Sequence, residues 1–128
     1  MVKVFLMLYR KPGLTPEQFL EHWKGPHKEL AVRSAAPTRL RRYVQNHPVR
    51  HDLTDALRQG RGAIAGDYDG IVEAWWDSFE DLAEVGNTAG QIAAALLEDE
   101  RRFCDLPRSV MWFAEEHEFV GPNASRTG

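Results

Sequence analysis

The stretch whose reading decides the fold is Thr15 to Ser34, TPEQFLEHWKGPHKELAVRS. It reads as an amphipathic helix. Thr15 is an N-cap, because its hydroxyl can accept from the free N–H groups of the first turn. Pro16 suits the first helical position, and Gln18 stands at the capping-box spacing. At about 100° per residue, Phe19, Trp23, His27, Leu30 and Ser34 fall on one face, with Leu20 and Ala31 beside them. His27 therefore sits inside the apolar arc, and His22 lies on its flank. Pro26 interrupts the pattern, since it removes one N–H and pushes away the carbonyl of His22. Either the helix kinks there, or it stops near Lys24 and restarts with Gly25 as cap and Pro26 as first residue. Both outcomes place a histidine on each side of an irregular turn.

Upstream, Val2 to Tyr9 reads as a strand with Val2, Val4, Leu6 and Leu8 on one face and Lys3, Phe5, Met7 and Tyr9 on the other. Both faces are mostly apolar, so both need cover. Downstream, Leu40 to Val49 reads as a second strand, with Tyr43, Gln45 and His47 on one face and Pro48 marking an end or an edge. Arg50 to Tyr68, with three glycines, reads as a loop with a short helical turn around Leu53 to Leu57. Asp69 to Asp77 is a third strand: Ile71, Glu73 and Trp75 oppose Val72, Ala74 and Trp76. Ser78 caps a helix that runs to about Val85. Gly86-Asn87-Thr88 forms a joint before a second helical piece from Ala89 to Phe103. On its inner face, among Ile92, Ala95, Leu96 and Phe103, Asp99 is the polar exception. Val110 to Val120 is a fourth strand, with Val110, Trp112 and Ala114 opposing Met111 and Phe113. The domain spans 1–120, with an insertion at 50–68 and a disordered tail at 121–128.

The 128 residues suit one domain with a real core, and 27% charged with 43% hydrophobic residues is ordinary globular composition. A net charge of −3 supplies no basic field for nucleic acid or an anionic membrane. Arg39, Arg41 and Arg42 make a local cluster that a strand would split between faces. The one cysteine, Cys104, allows no intramolecular disulfide, which fits a reducing compartment and a cytoplasmic protein. It reads as a packed thiol. The N-terminal apolar run of about six residues is too short for a signal core or a membrane span. There is no Gly-rich phosphate loop, GxSxG, CxxC or HExxH.

The order β-α-β-β-α-β is that of an α+β, ferredoxin-like (split βαβ) protomer: a four-stranded antiparallel sheet with two helices on one face. Two helices cover one sheet face only, so the other would be a large exposed apolar patch. A homodimer that packs two sheets face to face removes it.

The blocks VKVFLMLYRKPGLTPEQFLEHWKGPH, LRRYVQN, YDGIVEAWWDSFEDL and EDE near Phe103 resemble the EthD family of the dimeric α+β-barrel superfamily. The resemblance covers roughly Val2 to Val120. It implies the ferredoxin-like protomer and the sheet-to-sheet homodimer. It implies function loosely, since members resemble decarboxylases and dehydratases of polyketide pathways.

The expected pocket lies between the sheet and a partner copy, or beside the irregular helix. Its expected catalytic groups are His22, His27 and Glu73. Its expected substrate-binding groups are Tyr9, Trp23, Tyr43, His47, Trp75 and Trp112, an aromatic wall with a few polar groups that suits a flat apolar ligand. Histidine titrates near neutral pH, and a carboxyl as apolar in its surroundings as Glu73 would have a raised pKa. Such groups can carry a decarboxylase, dehydratase or cyclase reaction by acid–base chemistry, without a cofactor. Glu73 can instead form an ion pair with Arg41 or Arg42, and the histidines can be packing or capping groups. A cofactor-free monooxygenase and a non-catalytic small-molecule-binding or accessory catabolic protein are the alternative functions. No metal site is expected, because His22 and His27 stand at i and i+5, not the i and i+4 of a helical ligand pair.

Overall fold

Strand β1 (Val2–Leu8) is apolar on both faces, and in the computed structural model of the protein, which describes residues 1–124, it is one of two central strands. The sheet order is β2 (Arg42–Asn46), β3 (Gly70–Trp76), β1, β4 (Val110–Ala114), with every neighbouring pair antiparallel. Register assigns the faces that alternation alone leaves open. Val4 pairs with Ala74 and Phe113, and Ala74 pairs with Tyr43. Val2, Val4, Leu6, Leu8, Tyr43, Gln45, Val72, Ala74, Trp76, Met111 and Phe113 thus face one way, toward the helices. Lys3, Phe5, Met7, Arg42, Val44, Ile71, Glu73, Trp75, Val110 and Trp112 face the other.

The long helix forms from its capping box as expected. Gln18 N–H donates to the Thr15 hydroxyl at 3.1 Å, and the Gln18 side chain accepts from Thr15 N–H at 2.8 Å. It neither kinks sharply into two helices nor restarts at Pro26. Helix α1 (Pro16–His22) runs through a π-helical turn (Trp23–His27) into α2 (Lys28–Ser34). The missing N–H of Pro26 is absorbed by widening one turn, so that Lys28 N–H reaches back to the Trp23 carbonyl. Phe19, Trp23, Ala31 and Ser34 are buried on the inner face with His27.

The second helical layer is α4 (Phe79–Thr88), capped by Ser78, and α5 (Gly90–Phe103). The joint lies one residue beyond the expected Gly86-Asn87-Thr88, at Ala89, whose φ and ψ of −140° and 34° are not helical. Phe103 closes the core cluster with Leu8, Phe19, Trp23 and Cys104. Phe19 lies 5.6 Å from Trp23 and 5.3 Å from Phe103, ring centre to ring centre. Burying each of these large side chains contributes about 2–3 kcal/mol. The Trp23 ring lies over Gly70, where any Cβ would come within 2.4 Å of it.

Three boundaries differ from expectation. Strand β2 is shorter than Leu40–Val49: it pairs with β3 only, and it stops before Pro48. Strand β4 ends at Ala114, not Val120, because the acidic segment that follows leaves the sheet and Glu116 bonds Lys3 Nζ at 3.1 Å. The insertion holds a full helix, α3 (Asp52–Arg61), where one turn was expected. His51 caps its start by accepting from Leu53 N–H, and Gly62 ends it at φ 67°. This helix buries none of its residues. Of the tail expected to be disordered, residues 125–128 lie outside the described residues. Among the described residues no helix is long and apolar enough to cross a membrane.

Candidate functional site

The π-helical turn gathers the two histidines. In a regular helix, i and i+5 diverge by more than a quarter turn; the extra residue per turn here brings both rings to one carboxylate on α5. His27 Nδ1 lies 2.7 Å from Asp99 Oδ2. His22 Nε2 lies 3.0 Å from the same oxygen and 3.1 Å from Oδ1. Arg102 Nη1 donates to Oδ1 at 3.1 Å. The Phe103 ring packs against both imidazoles, at 4.7 Å from His22 and 5.0 Å from His27.

Asp99 and His27 are both about 5% exposed. Burial pushes the Asp99 carboxyl up, but the hydrogen bonds from His27, His22 and Arg102 together hold it below the usual aspartate range. Burial pushes His27 down, and outweighs the lift from the Asp99 carboxylate. His27 is therefore a neutral imidazole at pH 7. With Nδ1–H donating to the carboxylate, its Nε2 carries the lone pair. That nitrogen makes no hydrogen bond with the described residues.

His27 lines a cavity of about 240 Å³ between the helices and the sheet. Its wall is mainly apolar, including Val4, Leu6, Val72, Leu96 and Met111. The polar groups on it include His27, Tyr43, Glu100 and the Trp23 edge. Gln45 holds the polar end in place. Its Nε2 donates to the Trp23 carbonyl at 2.9 Å and to the Tyr43 hydroxyl at 3.0 Å, while its Oε1 accepts from His47 at 2.8 Å. Since the Tyr43 oxygen accepts from Gln45, its own proton is free for another acceptor. Burial pushes the Tyr43 phenol above its ordinary pKa. Burial, reinforced by the Asp99 charge, pushes the Glu100 carboxyl up to about 7. A wider groove of about 500 Å³ at the start of β1, lined by residues such as Met1, Asp77, Phe79 and Phe113, has no histidine on its wall.

The expected site residues divide between the two faces of the sheet. His22, His27, Trp23, Tyr43 and His47 belong to the helix side; the His47 ring packs 4.9 Å from Trp23. Glu73, Trp75 and Trp112 lie on the opposite face, with no access to the histidines. Glu73 is not a carboxyl with a raised pKa. It pairs with Lys3 Nζ at 2.7 Å, neither with Arg41 nor with Arg42, and that bond holds it below the usual range. Lys3 also lies 4.6 Å from the Phe5 and Trp75 ring centres, so the pair is embedded among aromatic rings. Trp112 stacks on Phe5 at 5.1 Å. Tyr9 lies past the end of β1 beneath the Arg108 guanidinium, 4.4 Å from its ring centre. Two groups went unassigned from sequence. Asp99 carried a signal, as the one polar residue on the inner face of its helix. Glu100 carried none, standing inside the charged run Glu98 to Arg102. Cys104 is buried, and burial raises its thiol pKa, as for a packed thiol. Among the described residues no group of three or more His, Cys, Asp or Glu side chains is placed to share a metal ion.

Comparison with solved structures supports the fold. An ethyl tert-butyl ether D (EthD) family protein from Bacillus halodurans C-125 is 19% identical, with a TM-score of 0.63 over 91% of this chain and 99% of its own. A dimeric protein of unknown function and ferredoxin-like fold from Bacteroides fragilis NCTC 9343 is 10% identical, with a TM-score of 0.62 over 90% of this chain and 95% of its own. A protein from Arabidopsis thaliana is 21% identical, with a TM-score of 0.54 over 95% of this chain and 100% of its own. No curated protein matches the sequence. The EthD domain profile matches residues 11–107. That span includes the π-helical turn, both histidines and Asp99, and the chain belongs to the EthD family.

Proposed function

We propose that the protein is a small-molecule enzyme that works by acid–base chemistry in the cavity between helices and sheet, on an aromatic or polyketide-like substrate. The observation that supports this most directly is His27. It is neutral, oriented by Asp99 through Nδ1, and part of the wall of an apolar cavity. A base so held takes a proton from an acidic carbon or hydroxyl of the substrate. The electron pair passes to a neighbouring carbonyl as an enolate. The enolate then expels a leaving group or attacks a second carbonyl to close a ring; from a β-keto acid His27 takes the carboxyl proton instead, carbon dioxide leaves, and the C–C electron pair itself becomes the enolate that is then protonated. His27 returns the proton in each case, and Tyr43 donates a hydrogen bond to the developing oxyanion. Dehydration, decarboxylation and cyclisation of this kind need no electron carrier. His22 acts through Asp99, as a positioning residue.

The homodimer belongs to the same proposal. The open sheet face carries Phe5, Ile71, Trp75, Val110 and Trp112, with Val110 48% and Trp112 37% exposed. A face of this kind suits a second copy, and the Bacteroides fragilis protein is described as dimeric. The buried, unpaired Cys104 supports a reducing compartment such as the cytoplasm.

Native mass spectrometry of protein purified from its host reports the oligomer and any retained organic molecule together. Turnover of compounds of that class is then measured for the parent and for His27→Ala. Loss of at least about a hundredfold in kcat with an unchanged circular dichroism spectrum is expected. Unchanged kcat in His27→Ala would abandon the acid–base reading. Binding without any turnover would favour a carrier or accessory protein.

A further inference from the structure

The helix-side cavity has a polar end of which the proposed chemistry of His27 uses Tyr43 but neither Trp23 nor Glu100. Trp23 is fully buried, and its Nε1 has no hydrogen-bond partner. The six-membered edge of its ring rests on Gly70, which turns the Nε1 edge away from β3 and toward β2. There it points at the Tyr43 oxygen closely enough to act on that phenol as a weak donor, but outside hydrogen-bond geometry. Glu100, on α5, lines the same cavity, makes no side-chain hydrogen bond, and also acts on Tyr43. A buried indole N–H and a half-buried carboxyl, neither holding a well-formed hydrogen bond, are costly features at the edge of a folded core. They are complementary to one kind of group: an oxygen that accepts from the indole and carries a proton for the carboxyl.

We propose that Glu100, the Trp23 indole N–H and the Tyr43 hydroxyl form a subsite for the hydroxyl of a neutral phenolic or enolic ligand. The ligand oxygen accepts from Trp23 Nε1–H, and its O–H donates to Glu100. The remaining wall contacts the ligand's apolar body. This rests on the cavity being the ligand site, and it narrows that reading. No lysine or arginine lines the cavity. The groups facing Glu100 are Tyr43 from β2, and Asp99 and Cys104 from its own chain segment, with His27 on the same wall. None is a cation at pH 7, so a carboxylate ligand would enter without a counter-charge. Among the reactions above, the subsite favours dehydration or cyclisation of a neutral enol over decarboxylation of an acid.

Three probes of similar shape test this in the full-length protein by isothermal titration: orcinol (3,5-dihydroxytoluene), mesitylene, and 3,5-dihydroxybenzoate. At about pH 6, orcinol should bind at least about tenfold more tightly than either of the others, one hydrogen bond's worth of discrimination. Glu100→Leu should erase the preference over mesitylene. Glu100→Gln, which keeps an acceptor, should retain most of it. Ala93→Phe, which fills the cavity, should abolish binding of all three. A preference for orcinol that survives Glu100→Leu overturns the subsite while leaving the cavity reading intact. Tighter binding of 3,5-dihydroxybenzoate also overturns it. No binding of any probe, or binding unaffected by Ala93→Phe, overturns the cavity reading and the subsite together.

Discussion

His22 and His27, five positions apart on one helix, bond the same oxygen of Asp99, at 3.0 Å and 2.7 Å. A regular helix would not bring them there. The convergence depends on the π-helical turn around Pro26, and on α5 presenting a carboxylate at the right height. Helix α1, the turn and α5 are thus tied by one buried group.

Removing that group should cost both stability and function. Asp99→Ala deletes the acceptor of three side chains in a site only 5% exposed. His27 can remain neutral, so the expected loss is about 2–4 kcal/mol, toward the lower side of the cost of stranding a buried ion. Urea denaturation with an unchanged m-value measures it. A loss under about 0.5 kcal/mol would mean that the three contacts are not formed in solution.

The pH dependence of stability should have two limbs of opposite sign. The folded pKa of His27 is lowered, so below about 6.5 the unfolded chain takes the proton first and stability falls with acidification. The folded pKa of Asp99 is lowered as well; its contribution is present above the unfolded value near 3.9 and is lost as the pH drops through the folded one. Glu100 behaves oppositely. Its folded pKa of about 7 lies above the ordinary 4.5, so its folded form keeps a proton that the unfolded chain releases. Stability from this group is full below about 4.5 and lost as pH rises through 7. Between about pH 4 and pH 8, Glu100→Gln should gain about 3 kcal/mol relative to the parent. Thermal unfolding of both across that range tests it, and a flat difference would show that Glu100 is not held as a neutral acid.

Gly70→Ala should unfold the core locally. The new Cβ would stand 2.4 Å and 2.5 Å from Trp23 ring carbons. Trp23 is fully buried and cannot step aside without shifting Phe19 and Phe103. A cost of about 2–3 kcal/mol is expected, read from the urea midpoint. A variant as stable as the parent would mean that the ring sits elsewhere in solution.

The open sheet face should decide the oligomer. Trp112→Glu puts a charge beside Phe5 in the middle of the proposed interface. At about ten micromolar, sedimentation should give a dimer for the parent and a monomer for the variant. A monomeric parent would show that this face is covered by something other than a second copy.

The elements and their order were legible in the chain because they depend on local chemistry. Thr15, Pro16 and Gln18 specify a helix start whatever lies around them, and alternation in Val2 to Leu8 and Ile71 to Trp76 specifies strands and their paired faces. The helix in the insertion was under-read because it buries no apolar face, and burial is what makes periodicity informative. Alternation also cannot say which face of a strand meets the helices. Only the register did that, placing Tyr43 with Ala74 and Val4, and Glu73 with Phe5 on the far side. Glu73 therefore met Lys3 in place of the histidines, and a carboxyl expected to be neutral is an ion paired among aromatic rings. The carboxylates that do meet the histidine wall, Asp99 and Glu100, lie more than seventy positions from His27 in the chain. Their role is long-range, set by how α5 packs on the π-helical turn. Composition and period determined what this chain would build; the packing of one element on another decided which titratable groups share a cavity.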